Sequence, residues 1–161
     1  MLGVFGSQPA GEIVQICRAA GLAGAQLHGP YTADDAATVA AAGLLVWRVL
    51  RIARPGDLDR LAEIALQGET VLVEPSVPHA EGGAGVPLDL ALAVEARRRL
   101  AGARMALAGG LTPETVGPAM ALVRPDVVDV SSGVESLPGI KDHEKIARFL
   151  EAVLGRSPTV G

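Results

Sequence analysis

The sequence predicts an α/β fold built from six βα units in series, and three observations predict it. Short apolar stretches, each ended by Gly, Ser or a polar residue, alternate with longer segments in which Ala, Leu, Val and Ile recur at helical spacing. Strand onsets at Leu2, Gly24, Leu45, Val71, Met105 and Val127 recur at the interval of a βα unit with short connections. Glycine-rich turns follow the last two strands, at Ala108-Gly109-Gly110 and Ser131-Ser132-Gly133, rather than the first.

In order, the expected strands are Leu2–Phe5, Gly24–Leu27, Leu45–Leu50, Val71–Glu74, Met105–Ala108 and Val127–Val130. The helices between them are Ala10–Ala19, Thr32–Ala42, Pro55–Leu66, Leu88–Leu100 and Pro113–Leu122, with a last one at Asp142–Leu154. Thr32 and Thr112 can cap a first turn, Pro113 suits the first helical position, and Asp34, Asp35 and Glu114 put negative charge at the positive end of the helix dipole. The one long interval holds Ala80-Glu81-Gly82-Gly83-Ala84-Gly85, too rich in glycine for a helix.

The position of the glycine turns separates two α/β architectures. A doubly wound nucleotide fold carries its glycine turn after the first strand, whereas a (β/α)8 barrel binds phosphate in the loops after strands seven and eight. The turns here therefore count the chain as strands three to eight of an incomplete TIM barrel, a single domain over residues 1–161.

Composition narrows the function. The chain is 49% hydrophobic, enough for a sizeable core. Its net charge of −4, with arginines scattered rather than gathered on one face, excludes a nucleic-acid footprint. Its apolar runs are far shorter than the ~20 residues of a membrane helix, and no basic region precedes an apolar one at the N-terminus. A single cysteine, Cys17, excludes an internal disulfide framework, so cytoplasm is the expected compartment. At helical spacing with Ile13, Val14 and Ile16, Cys17 reads as a small core residue.

Two glycines after Ala108 let backbone approach an anion closely, and Ser131, Ser132 and Gly133 add hydroxyl and amide donors from the next strand end. Together they make a phosphate cradle. Glu74 ends its strand as a carboxylate at the functional end of a barrel. Asp129, in an otherwise apolar strand, requires a partner or a ligand; an ion pair with Arg48 would supply one. His28, at its strand end, either lines the site or bonds a neighbouring loop. His79 and His143 read as surface residues and Asp89 as a helix start, with no metal-ligand spacing among them.

The segments Gln26-Leu27-His28-Gly29, Leu107-Ala108-Gly109-Gly110-Leu111-Thr112-Pro113-Glu114, Val128-Asp129-Val130-Ser131-Ser132-Gly133-Val134-Glu135 and Pro138-Gly139-Ile140-Lys141-Asp142 resemble, in order and spacing, the phosphoribosylanthranilate isomerases of tryptophan biosynthesis. The resemblance covers essentially the whole chain. It implies a cofactor-free Amadori rearrangement of a phosphorylated sugar–anthranilate substrate. A general acid protonates the ribose ring oxygen, the ring opens to an iminium, and a base takes the C2 proton to give an aminoketose. On this resemblance Glu74 stands at the general-acid position, Asp129 contacts the sugar, and His28, Arg48, Gly82, Gly83 and Gly85 bind substrate. Gly109, Gly110, Ser131, Ser132 and Gly133 hold the phosphate. The resemblance also implies two further βα units ahead of Leu2, with a base cysteine on the first and a carboxylate-binding arginine on the second; without them little or no turnover is expected. Open sheet edges then predict a homodimer that completes the sheet. The alternative expectation is a non-catalytic phosphosugar- or partner-binding protein.

Overall fold

The computed structural model describes residues 1–65, 69–76, 87–100 and 102–155. Strands β1 (Leu2–Phe5), β2 (Gly24–Leu27), β3 (Leu45–Ile52), β4 (Thr70–Pro75), β5 (Arg104–Leu107) and β6 (Val127–Val128) form one all-parallel sheet in chain order. Helices α1 (Ala10–Ala19), α2 (Ala33–Ala41), α3 (Leu61–Ile64), α4 (Leu90–Arg99) and α5 (Val116–Val123) connect them, and α6 (His143–Leu154) closes the series. A doubly wound sheet would reverse its strand order near the middle. This sheet does not, and it curls as part of a TIM barrel.

Alternation along the strands sorts side chains to two faces. On β3, Val46, Leu50 and Ile52 are buried beneath the helices, while Trp47 and Val49 pack on the inner face with Leu72, Ala106, Ala108 and Val127. The outer layer holds the larger core: Val71, Val73, Met105 and Leu107 pack against α3 to α6, and Phe5, Ala25 and Leu27 against α1 and α2. Each fully buried aliphatic contributes about 1.5–3 kcal/mol.

Helix starts follow local chemistry. Thr32 and Asp35 form a reciprocal capping box at α2. Asp89 accepts from the Ala91 and Leu92 N–H groups and starts α4, two residues later than expected. The helix expected from Pro55 is a 3-10 helix over Pro55–Arg60 before α3 begins, with Asp57 reaching back to accept from the Ala53 and Arg54 N–H groups at its start. Leu66, its expected end, lies outside the described residues. The helix expected from Pro113 starts at Val116, after a turn that Thr112 caps as expected, its Oγ1 accepting from the Glu114 and Thr115 N–H groups. The last expected strand stops at Val128 rather than Val130, and a 3-10 helix, Ser132–Val134, follows. The antiparallel hairpin of β7 (Glu135–Leu137) and β8 (Ile140–Lys141) was not foreseen; Pro138-Gly139 makes its turn.

Candidate active site

His28, Glu74 and Asp129 come together at the C-terminal ends of β2, β4 and β6. Arg51, on β3, joins them. The register places Arg51 beside Glu74, and its Nε donates to Glu74 Oε1 at 2.8 Å. The Glu74 side chain is only 9% exposed, so the guanidinium answers a carboxylate that burial would otherwise leave costly.

The His28 N–H extends the ladder to the Phe5 carbonyl, which fixes where the ring leaves the sheet. Its Nδ1 lies 3.4 Å from an Arg51 guanidinium nitrogen and 3.6 Å from Glu74 Oε1. Burial holds this ring below the ordinary histidine range; the nearby Glu74 charge opposes that and Arg51 reinforces it. A neutral ring accepts at Nδ1 from Arg51 and carries its proton on Nε2.

Asp129 directly follows β6, and its N–H donates to the Leu107 carbonyl at 2.9 Å. Although the residue is open to solvent on one side, surrounding protein pushes its carboxyl above the ordinary aspartate range, with a further push from Glu74. His28 and Lys141 pull it down. Two carboxylates, an imidazole and a guanidinium thus share one field, an arrangement suited to moving a proton.

The two glycine-bearing turns expected to hold phosphate touch. Gly109 has φ +105° and lies so close to the Pro75 ring that a Cβ would overlap it. A Cβ on Gly133 would strike the Leu111 carbonyl oxygen, so the Ser131–Gly133 turn rests directly on the Gly109–Leu111 turn. Among the described residues, the N–H groups of Gly109, Gly110, Ser132 and Gly133 donate no hydrogen bond. Lys141 Nζ reaches this turn from the hairpin, 2.9 Å from the Ser131 carbonyl and 2.7 Å from Glu135 Oε1.

Arg48 is the residue that the fold moves out of the expected site. It lies on the outer face with Val46 and Leu50, buried, its guanidinium donating to the Tyr31 carbonyl at 3.1 Å. Three residues along a strand reverse the face, so the inner-face arginine is Arg51 and Asp129 has no ion pair with Arg48. Gly82, Gly83, Gly85 and His79 lie outside the described residues. Cys17 is fully buried against α1's side of the sheet, its Sγ 3.7 Å from the Gly24 carbonyl. His143 begins α6 at the surface. Arg51 and Lys141 are the site residues that sequence reasoning missed. Extending the two-residue alternation of Trp47 and Val49 by one step would have found Arg51.

A profile of the family described as N-(5'-phosphoribosyl)anthranilate (PRA) isomerase matches residues 1–152. The isomerase of Chlorobium luteolum is 38% identical over 158 residues, covering 94% of this chain and 71% of the relative. That of Zymomonas mobilis subsp. mobilis is 36% identical over 155 residues, covering 94% and 72%. The crystal structure of the Thermotoga maritima phosphoribosyl anthranilate isomerase superposes with a TM-score of 0.82 at 31% identity, over 96% of this chain and 72% of that one. A phosphoribosyl anthranilate isomerase in complex with reduced 1-(o-carboxyphenylamino)-1-deoxyribulose 5-phosphate superposes with a TM-score of 0.79 at 30% identity, over 96% and 71%.

Proposed function

The chain belongs to the N-(5'-phosphoribosyl)anthranilate isomerase family, and from that premise we propose that its strand ends bind a phosphorylated ribosyl-anthranilate and serve its Amadori rearrangement. The convergence of His28, Glu74 and Asp129 at the C-terminal ends of three strands, beside the Gly109–Leu111 and Ser131–Gly133 turns, carries the reading. That end of the strands is where barrel enzymes place their chemistry.

In this reading the amides of Gly109, Gly110, Ser132 and Gly133, with the Ser131 hydroxyl, take the phosphate. Glu74, oriented by Arg51, serves as the general acid in its protonated form and gives that proton to the ribose ring oxygen. Asp129 and the Nε2–H of His28 hold the sugar hydroxyls. Gly82, Gly83 and Gly85 belong to the proposed substrate-binding loop. The C2 proton requires a base, which Cys17 does not supply, because its thiol lies in the helix-side core.

Recognition and turnover are tested separately. Calorimetric titration with reduced 1-(o-carboxyphenylamino)-1-deoxyribulose 5-phosphate is expected to give saturable binding; none at millimolar ligand would reject the reading. Conversion of the aminoaldose then tests the chemistry, and binding without conversion would leave a phosphosugar-binding protein. A homodimer belongs to the same proposal, since one superposable structure is of monomers generated from a dimeric phosphoribosylanthranilate isomerase of Thermotoga maritima and Leu150 and Leu154 stand exposed one turn apart on α6. Light scattering should return twice the mass of one chain, and a monomer mass would remove that part.

A further inference from the structure

We infer that Lys141 is a positioning residue of the anion site: through the Ser131 carbonyl it orients the Ser131–Ser132 peptide so that the Ser132 N–H faces the bound phosphate. The inference rests on the phosphate reading above.

Across a trans peptide, the C=O of one residue and the N–H of the next point in opposite directions, and no peptide bond in the described chain is cis. The Ser131 carbonyl is held from one side by Lys141 Nζ at 2.9 Å and more weakly by the Val134 N–H at 3.4 Å. The Ser132 N–H is thereby turned to the other side, where no described group accepts from it. The same ammonium sits 3.4 Å from Ser131 Oγ. An ammonium only donates, so this hydroxyl acts there as acceptor and its own hydrogen stays available to an anion.

Lys141 is itself held. Glu135 Oε1 accepts from it at 2.7 Å, and Glu135 Oε2 accepts from the Gly139 N–H of the hairpin turn at 3.1 Å. The Lys141 bond, then the Gly139 N–H, keep the Glu135 carboxyl below the ordinary glutamate range. The hairpin β7–β8 thus acts as a clamp with one purpose: it presets two phosphate donors before any ligand arrives, so the ligand does not have to order them on binding.

A direct role for Lys141 as a phosphate-binding charge makes the opposite prediction for Glu135. Replacing Glu135 with Gln removes a negative charge from the site and frees the ammonium, so binding of an anion should tighten. If Lys141 positions, the same change loosens the clamp and binding weakens.

The test titrates inorganic phosphate into 15N-labelled protein and follows the amides of Gly109, Gly110 and Ser132. Lys141→Met and Glu135→Gln should each weaken phosphate binding about five- to tenfold, the scale of losing one well-placed hydrogen bond, and both should shift the Ser132 amide before phosphate is added. Unchanged or tighter binding in Glu135→Gln overturns the clamp even if Lys141→Met binds poorly. A wild-type chain whose three amides do not respond saturably to phosphate overturns the phosphate reading itself, and the inference with it. The Lys141 side chain is 42% exposed and the Glu135 side chain 15%, and neither residue is among the buried core; a thermal melt of each variant checks that the fold is kept.

Discussion

Asp129 and His28 respond to the same neighbourhood with opposite signs. In the folded chain the Asp129 carboxyl sits above its ordinary value of 3.8, chiefly through burial and then the Glu74 charge. Between 3.8 and the raised value the native state holds the proton more often than the unfolded chain, so stability falls as pH rises through that window. The His28 ring lies below its ordinary 6.5, so its contribution grows as pH rises toward that value. Asp129→Asn should therefore melt at a higher temperature than the parent near neutral pH. The gain should vanish below about pH 3.8, where both chains carry a neutral group. Thermal melts across pH decide it; an equal or lower midpoint at neutral pH would mean that Asp129 makes favourable contacts as an anion.

Periodic apolar segments were readable wherever a strand or helix owed its boundaries to burial. β1, β2 and α1 begin and end where expected, and no side chain caps the start of α1. Boundaries moved at two helix starts, where the first turn winds as a 3-10 helix or an isolated turn before the α-helix begins. Capping side chains sit at both, Asp57 accepting from the Ala53 and Arg54 N–H groups and Thr112 from those of Glu114 and Thr115. The hairpin after β6 escaped notice for a different reason. Its strands bury almost nothing, with Leu137 and Ile140 both exposed, so hydropathy carries no trace of it. The chemistry-bearing strand ends at Gly109, Ser131 and Asp129 were visible as motifs; the partners that tune them, Arg51 and Lys141, were not. Arg51 lay just past the expected end of its strand, and Lys141 reaches the turn through a side chain ten residues away in sequence.

Across the whole molecule, the sheet divides its labour by face. The outer layer carries the large buried aliphatics and Arg48, whose guanidinium answers the Tyr31 carbonyl and draws down the burial-raised carboxyl of Glu69. The inner layer carries Arg51, Glu74, His28 and Asp129. Two substitutions separate these roles. Arg48→Met should cost roughly 1–3 kcal/mol of stability by leaving buried acceptors unanswered, with the affinity for the reduced substrate analogue retained. Arg51→Met should weaken analogue binding and also lower the denaturant midpoint, because it leaves the buried Glu74 carboxylate without its partner; the loss of affinity is what separates it from Arg48→Met. Chemical denaturation and calorimetry on the same pair of variants read both effects. If Arg48→Met lost affinity as much as Arg51→Met, the division by face would not hold.

Strand β3 spells that division into its sequence one residue at a time, with Trp47, Val49 and Arg51 on one face and Arg48, Leu50 and Ile52 on the other. For directed evolution the two sets are independent dials. A library confined to the odd positions searches for new substrates on an intact scaffold. One confined to the even positions searches for heat tolerance without rewriting what the scaffold recognises. A single-residue deletion within the strand would exchange the sets beyond the break, so a frame-preserving indel in β3 should be rare among functional variants.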